Sequence, residues 1–269
     1  MIPWRSPRAV ISLRQINALP APERDRCYLS LVPPAFCERF GLDPLAFTDP
    51  QGRRLASVEA PREHASVRLS ITHRAGALDP AFFLRLDESR YGNLQITFII
   101  LNDPEGPRFE VDLDDEGKVT ELGARTRNLR AEESAMRAGL TPGQIRPGLR
   151  MLRATLERIE AFAGRLGKNA IILEAFFYHN ALTYERQGFG YLAGRDRMEA
   201  IHRGFQPGGI LEARLDGSTP FRAQSAGGGI RGRSWAIHDG ILRQRWWPPM
   251  MYRPIGVRLG ICTAPGVPF

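Results

Sequence analysis

Most of the side chains that could take part in a reaction lie in one short stretch, residues 171–189. Its apolar first part contains a single acid, Glu174, and a bend with His179 and Asn180 follows. Glu174 lies either at an exposed strand edge or among apolar neighbours that raise the pKa of its carboxyl. His179 has a side chain suited to proton transfer, but a lone histidine is more often structural than catalytic.

Two more acids are predicted to lie on a neighbouring strand, where Glu110 and Asp112 alternate with Phe109 and Val111. A carboxylate there can serve as a general base. Acidic residues on the solvated face of a sheet are the more common case, so both interpretations stay open.

Metal and thiol chemistry have little support in the sequence. The five histidines show no metal-binding motif, and none of the three cysteines (Cys27, Cys37 and Cys262) belongs to a CxxC pair. Buried apolar filler is the commoner role of such a cysteine, with a reactive thiol as the alternative.

The elements that must position these residues begin as strands. Period-two alternation predicts a strand at Val67–Ile71, and Phe82–Leu86 gives the next. Leu94–Leu101 is almost entirely apolar, which predicts a central strand buried on both faces. Phe109–Leu113 is predicted to be a fourth strand, so this part of the chain should form an antiparallel meander.

Helices are expected to follow. Asn128 is a suitable N-cap for a helix to Gly139, and Thr141–Gln144 has the form of a capping box. The strongest pattern predicts an amphipathic helix over Gly148–Leu166. Its apolar stripe is Leu149, Leu152, Leu156, Ile159, Ala163 and Leu166. A strand at Ala170–Phe176 and short helices at His179–Gln187 and Arg195–Phe205 complete the pattern, which makes parallel pairing across the long helix the expected topology.

Three regions are distinguished by composition. Residues 1–65 are rich in proline and are predicted to be an irregular arm or cap, with one helical turn at Ala35–Phe40 ended by Gly41. Residues 66–206 form the predicted core domain, and residues 207–269 a Gly/Pro-rich C-terminal extension. Within the extension we expect a strand at Leu211–Leu215, no regular structure in residues 226–232, and a basic, aromatic tail at Arg243–Pro254.

The overall composition is that of an ordinary globular protein. Of 269 residues, 43% are hydrophobic and 25% charged, and no stretch approaches the ~20 apolar residues of a membrane span. The N-terminal stretch lacks the apolar run of a secretory signal, so a cytoplasmic location is expected. The formal charge of +8 favours polyanionic partners or a phosphate-bearing cofactor. Signatures of RNA binding are absent, so nucleic acid is not the expected partner.

The sequence Tyr184-Glu185-Arg186-Gln187-Gly188-Phe189 resembles a motif of the GNAT acetyltransferase superfamily, in which a helix after a strand ends as Tyr-Glu-x-x-Gly-Phe. The resemblance covers about Leu94–Leu192. It implies an α/β (α+β) fold with a mixed, mostly antiparallel sheet and a long amphipathic helix packed on it. It also implies that two parallel strands separate and hold acetyl-CoA between them.

The resemblance also assigns roles to individual residues. The cofactor pyrophosphate would meet backbone amides at the start of the long helix, at Gln144–Leu149. Tyr184 would protonate the leaving thiolate, and Glu110 or Glu174 would act as the base. The implied cofactor-binding residues are Gln144, Arg146, Gly148, Leu149, Arg150 and Asn180.

Two hypotheses follow. The first is an N-acyltransferase that moves an acetyl group from acetyl-CoA to the amine of a small molecule or protein. The second is a non-catalytic module of the same fold that acts through its C-terminal tail, for instance by forming a homodimer. The second takes account of two departures from the family pattern: Pro147 and Leu149 stand where the phosphate loop has glycine or alanine, and Phe177 stands where the family has asparagine.

Overall fold

The computed structural model describes residues 12–269, which have a mixed α/β fold. Four of the described strand pairings are antiparallel and one is parallel, so the predicted mixed, mostly antiparallel class is confirmed. The first eleven residues of the predicted N-terminal arm lie outside the described residues. The elements are α1 (Leu13–Asn17), α2 (Ala21–Leu29), α3 (Pro34–Phe40), β1 (Ala56–Glu59), β2 (Ser66–Ile71), β3 (Phe82–Glu88), β4 (Leu94–Leu101), α4 (Leu129–Arg137), α5 (Leu152–Arg165), β5 (Ala170–Glu174), α6 (Tyr178–Arg186), β6 (Gly190–Ala193), α7 (Arg195–Gly204), α8 (Ile230–His238) and β7 (Met250–Pro254).

These elements belong to two compact units, neither of which is one continuous stretch of chain. Of the described residues, unit 1 comprises 12–105, Gly148–Leu173 and Pro254–Val257. Unit 2 comprises Gly106–Pro147, Glu174–Arg253 and Arg258–Phe269.

Unit 1 is built on neighbouring strands. β1 to β4 form an antiparallel meander in sequence order, and β5 then pairs with β4 in parallel. Because α5 lies between β4 and β5 in the chain, the predicted crossover connection is confirmed. The buried faces of β2 and β3 include Val67, Leu69, Leu84 and Leu86.

The long helix α5 begins later than predicted, at Leu152 instead of Gly148. The cause lies in the preceding residues. The amide of Leu149 donates to the carbonyl of Leu101 at 2.9 Å, and Arg150 has a φ of 59°, in the left-handed region. Neither geometry continues a helix. The predicted stripe from Leu156 to Leu166 is buried as expected, together with Thr155 and Phe162.

The N-terminal region is more regular than its prolines indicated. Prolines stand in the first positions of α2 and α3, where the missing N–H costs nothing. The predicted turn ended by Gly41 is confirmed as the end of α3, with Gly41 at φ 61°. Buried Asn17 at the end of α1 donates from its amide to the carbonyls of Pro61, His64 and Ser66, at 3.1, 2.8 and 2.9 Å.

Unit 2 packs around Trp235 of α8. Its ring stacks on Phe221 with centroids 5.2 Å apart, and its Nε1 donates to the Leu140 carbonyl at 2.9 Å. Val111, Ala135 and Leu140 complete the cluster, which Phe109, Ala131, Met136 and Ile145 border. α4 begins as predicted, because the Asn128 side chain accepts a hydrogen bond from the Ala131 amide at 3.1 Å.

Three predictions for unit 2 are wrong. Phe109–Leu113 is not a strand, and only a single bridge joins Leu113 to Val119. Leu211–Leu215 is not a strand but contains the 3-10 helix Glu212–Arg214. Residues 226–232 do have regular structure, because the 3-10 helix Gln224–Gly228 leads into α8.

Candidate functional site

Residues 171–189 fold as predicted into a strand, a bend and the short helix α6. The bend is fixed by Asn180, whose Oδ1 accepts a hydrogen bond from the Phe177 amide at 3.2 Å. α6 ends near Gly188, which has a φ of 83° and leaves no room for a Cβ, since one would lie 2.4 Å from Cδ of Arg258. Only glycine suits both requirements.

Tyr184 is a buried residue of α6, and its ring packs on Phe189 with centroids 5.4 Å apart. Burial raises the pKa of its hydroxyl to about 12. The hydroxyl therefore stays protonated at neutral pH, which is the state that the resemblance requires of a proton donor.

The two candidate bases are both exposed. Glu174 ends β5 with its side chain in solvent, which decides between the two interpretations of this residue. Glu110 lies in a loop, because the strand predicted to hold it does not form. Among the described contacts, nothing brings either carboxylate to Tyr184. The structure therefore does not assemble the three predicted catalytic residues into one group.

A buried polar network instead joins the bend to α8. Nε2 of His179 lies 2.9 Å from the Thr141 hydroxyl, and Nδ1 lies 2.8 Å from the Ser234 hydroxyl. The Thr141 hydroxyl and amide both donate to Oε1 of Gln144, at 2.7 and 2.8 Å. Nδ2 of Asn180 lies 3.1 Å from Nε2 of His179. Two predicted cofactor residues, Gln144 and Asn180, thus meet in this network.

Burial lowers the pKa of His179 to about 3, and the charge of nearby His238 acts in the same direction. The imidazole is therefore neutral, with one nitrogen as donor and one as acceptor. Because the Thr141 hydroxyl donates its one proton to Gln144, it accepts from Nε2 of His179, and Nδ1 then accepts from the Ser234 hydroxyl.

The serine–histidine distance is that of a nucleophile and its base, but the surroundings are closed. Phe177 stacks on the imidazole at 5.6 Å, and its ring also packs against Gly143. His179, Thr141 and Ser234 are all buried. We therefore assign the network a structural role. Thr141 and Ser234 were not predicted as its members, because residues so far apart in the chain give no local pattern.

The loop expected to bind pyrophosphate makes contacts of its own. Gln144 accepts the bonds from Thr141 as half of the predicted capping box, but no helix follows directly. Arg146 donates to the Gly106 carbonyl at 2.7 Å. Gly148 forms a bridge with Asn102, and Leu149 is buried with its amide bonded to Leu101. Arg150 remains exposed.

Glu185, the second residue of the Tyr-Glu motif, has a structural role that was not predicted from the sequence. Its carboxylate is buried and accepts hydrogen bonds from the Thr263 amide at 3.0 Å and the Thr263 hydroxyl at 2.6 Å. The Tyr191 hydroxyl also donates to it. These bonds fasten the C-terminal segment and β6 to α6.

The open part of unit 1 is the end of β4. Its parallel pairing with β5 covers three positions, Leu94–Ile96 with Ile171–Leu173. At the next residue, Thr97, β4 has a bulge, since Ile96 faces Leu86 while Phe98 faces Arg85. A bulge bends its strand, and β5 ends soon after. The parallel pairing of β4 with β5 therefore ends at Ile96.

This end of β4 is also less buried than predicted. Leu94 and Ile96 are buried, but Thr97, Phe98, Ile99, Ile100 and Leu101 are all half-exposed. The expectation of a strand buried along both faces is therefore wrong for its last five residues. A half-exposed apolar strand end offers contact area for an apolar ligand.

The N-terminus of α5 is a second open feature of unit 1. No side chain caps it, and the first helical hydrogen bond runs from the Thr155 amide to the Met151 carbonyl at 2.9 Å. The earlier amides are thus available to an anion, and Arg150 and Arg153 are exposed beside them in the chain. The start of the long helix, predicted to follow Gln144–Leu149 directly, lies instead at Leu152.

The remaining reactive groups do not cluster. Cys27 and Cys37 are buried, and burial raises the pKa of each thiol to about 11, as expected of apolar filler; Cys262 is exposed. Residues 12–269 contain no group of three metal-binding side chains. In the same range, every helix is too short or too polar to cross a membrane.

Comparisons with known proteins leave the family open. No protein-family model, no curated protein and no solved structure matches the chain. The functional argument therefore depends on the residues and their geometry.

Proposed function

We propose that the protein is an acyl-CoA-dependent N-acyltransferase of the GNAT type, which transfers an acetyl group to an amine by direct attack. The observation that carries the proposal is that the parallel pairing of β4 with β5 ends after three positions, while the apolar end of β4 continues and is half-exposed. In the family that the Tyr-Glu-x-x-Gly-Phe motif resembles, acetyl-CoA lies where two parallel strands separate.

The open N-terminus of α5 supports the same proposal. An uncapped helix start attracts phosphate through its free amides and the helix dipole. Arg150 and Arg153 add positive charge next to it in the chain. We assign to these features the phosphate binding that was predicted for Gln144–Leu149, because the groups of that loop are largely bonded within the protein.

The chemistry would require little of the chain beyond binding and one proton. Acetyl-CoA supplies the thioester, the amine attacks its carbonyl carbon, and the carbon–sulfur bond breaks. Tyr184 is protonated at neutral pH and is suited to give its proton to the leaving thiolate. The amine gives up its own proton to water or to an exposed carboxylate such as Glu174 or Glu110.

The second candidate is a binding module of the same fold without catalysis. It is favoured by two hydrogen bonds that residues of the predicted phosphate loop make within the protein. The Leu149 amide donates to the Leu101 carbonyl, and the Gln144 side chain accepts from the Thr141 hydroxyl. The basic, aromatic segment Arg243–Pro254 would then be the contact to a partner, such as a second copy of the chain.

Isothermal titration with acetyl-CoA distinguishes the two candidates. For the acyltransferase we expect micromolar binding by the wild type, and equal binding but no turnover by Tyr184→Phe. The sharper variant is Arg150→Gly, because Arg150 has a φ of 59° that glycine adopts without strain. It should keep the fold and weaken binding about three- to tenfold, with a smaller loss at high salt.

Arg243→Gly is the matched control, since Arg243 is also exposed, at a φ of 57°. It removes the same charge from unit 2 and should leave acetyl-CoA binding unchanged. Absence of binding at millimolar acetyl-CoA would reject the acyltransferase and favour the binding module. Equal losses in both variants would show that binding depends on net charge alone.

A further inference from the structure

Unit 2 exposes three large apolar side chains on segments that are neighbours in the fold. Leu192 of β6 is 55% exposed, Met250 at the start of β7 is 38% exposed, and Trp247 shortly before β7 is 59% exposed. Single exposed apolar residues are common on protein surfaces, whereas several together mark a surface that contacts another molecule.

A β-bulge places Leu192 on the same exposed face as Met250. Tyr191 pairs with Met251 and Ala193 with Met250, so Leu192 is the extra residue between them. Regular alternation would turn either Leu192 or Ala193 inward, but both are exposed, whereas Met251 is fully buried. The bulge therefore adds Leu192 to the face on which Ala193 and Met250 lie.

Trp247 is held beside the same pair of strands. Its carbonyl accepts a hydrogen bond from Nη1 of Arg197 at 3.4 Å. Pro249 packs closely on Gly194, where an added Cβ would lie 2.9 Å from Cβ of Pro249. The segment that contains Trp247 therefore runs along the end of β6 and the start of α7, and the three apolar side chains belong to one surface.

Arginine side chains accompany this surface. The guanidinium of Arg245 lies over the Trp247 ring, 5.4 Å from its centroid, and Arg243 is exposed two positions earlier in the chain. Arg197, which bonds to the Trp247 carbonyl, is the third cation. Residues 240–269 contain no acidic residue that could neutralise these charges.

The acids of the neighbouring segments do not cancel this charge. Glu199 is paired with Arg195 at 2.8 Å. Asp196 and Glu174 are exposed, and the Ala175 amide next to Glu174 donates to the segment that contains Trp247. Beyond the Arg195–Glu199 pair, three arginines therefore stand against two acids, and the chain as a whole has a formal charge of +8. A positively charged surface with an apolar centre suits an anionic partner.

We propose that Leu192, Trp247 and Met250, with the arginines beside them, form a surface that rests on an anionic lipid bilayer. The apolar side chains enter the boundary between headgroups and acyl chains, and Arg197 and Arg245 contact the lipid phosphates. Tryptophan and arginine suit this depth, since both combine an apolar body with a polar end. The contact does not require acetyl-CoA, so it is independent of the proposed acyltransferase.

Other occupants fit the same residues less well. In a two-fold dimer the surface would face its own copy, which brings arginines opposite arginines. Single-stranded nucleic acid stacks on aromatic rings and offers phosphates to arginine, but it gives aliphatic side chains such as Leu192 and Met250 no apolar surroundings. An anionic bilayer accommodates both kinds of group.

The test is co-sedimentation of the full chain with phosphatidylcholine vesicles, with and without about one-third phosphatidylserine. We expect the wild type to bind the anionic vesicles and to dissociate from them at high salt. Trp247→Ala should weaken this binding about tenfold and Leu192→Ser about fivefold, because each removes apolar contact with the bilayer.

Leu129→Ser is the matched control, because Leu129 at the start of α4 is also 55% exposed and belongs to the same unit. It should bind vesicles like the wild type. Equal weakening by Leu129→Ser and Leu192→Ser, or no preference for anionic vesicles, would overturn the proposal. Binding of single-stranded RNA in place of vesicles would overturn it in favour of nucleic acid. A dimer in place of vesicle binding, detected by light scattering and dissociated by Leu192→Ser, would overturn it in favour of a second copy.

Discussion

The end of β4 in unit 1 and the His179 network in unit 2 use their residues in opposite ways. The β4 end consists mostly of apolar side chains, yet it is half-exposed, and its pairing with β5 ends at Ile96. The network consists of histidine, serine, threonine and amide side chains, the residue types of many active sites. Its three central residues, Thr141, His179 and Ser234, are nevertheless buried and bonded to one another.

For these two regions, residue type is a weaker guide to function than unused hydrogen-bonding capacity. A hydroxyl or imidazole whose hydrogen bonds are all made to the protein has nothing left for a substrate. An uncapped helix start, such as that of α5, retains backbone donors whatever side chains its residues carry. Functional hypotheses for this chain should therefore start from groups with unused hydrogen-bonding capacity. The His179 network should be tested for its contribution to stability.

The largest expected effect is the response of the network to acid. The pKa of His179 is lowered from 6.5 to about 3, so between these pH values the unfolded chain binds a proton at this residue and the folded protein does not. Its contribution is fully present above pH 6.5 and is lost as the pH falls toward 3. Two pH units below 6.5, the loss is about 2 to 3 kcal/mol of the free energy of unfolding.

The measurement is urea unfolding at pH 7.5 and pH 4.5 for the wild type and for His179→Gln. The glutamine can bond to both hydroxyls but does not titrate, so the variant should lose about 2 to 3 kcal/mol less between the two pH values. The pKa of His202 is also lowered, but His202 is present in both proteins and cancels. Equal losses in both proteins would show that His179 can be protonated in the fold, and that the network is open to water.

The second expected effect is a loss of stability when a side chain is added at Gly143, beside the Phe177 ring that stacks on His179. Gly143 has a φ of 78°, and a Cβ added to it would lie 2.5 Å from Cε2 of Phe177, which is held against His179. Gly143→Ala should therefore cost about 1 to 3 kcal/mol, from the backbone and the displaced ring together. Gly41→Ala is the control, because Gly41 has a φ of 61° and open space around its Cα. Equal costs, measured by urea unfolding, would mean that Phe177 yields easily.

Much of the fold could be predicted because it depends on local periodicity. The stripe of α5, the alternation of β2 and the Asn128 cap of α4 each involve residues within a few positions of one another. Wrong predictions arose where a pattern had a different cause. Phe109 and Val111 alternate because both pack at the Trp235 cluster, not because they pair in a sheet. Leu211 and Leu215 are both buried at a spacing of four, which suits a helical turn.

The candidate sites could be predicted less well, because they depend on contacts between distant segments. The sequence identified His179, Asn180 and Gln144 as polar residues of interest, but not Ser234, which lies 55 positions after His179. The exposure of β4 has a similar origin. An apolar run predicts burial, and only the bulge at Thr97 and the early end of β5 leave its last residues open.

The smallest expected effect on stability is that of Ile100→Ala in β4, for which Ile96→Ala in the same strand is the fully buried reference. Ile96 is 3% exposed and paired with Leu173, whereas Ile100 lies in the half-exposed part of the same strand. Ile96→Ala should cost about 2 to 4 kcal/mol, as is usual for a fully buried isoleucine. Ile100→Ala should cost about 1 kcal/mol or less, because its side chain is partly in water already.

The two substitutions should affect acetyl-CoA binding in the opposite order, with the larger effect from Ile100→Ala. If an acyl-CoA lies along the half-exposed end of β4, Ile100→Ala removes an apolar contact to it and should raise the Kd for acetyl-CoA about three- to tenfold, while Ile96→Ala leaves it unchanged. Urea unfolding and isothermal titration on the same two proteins separate the effects. A large stability loss in Ile100→Ala would show that the end of β4 is covered in solution, and the contrast between an open strand and a closed network would then no longer hold.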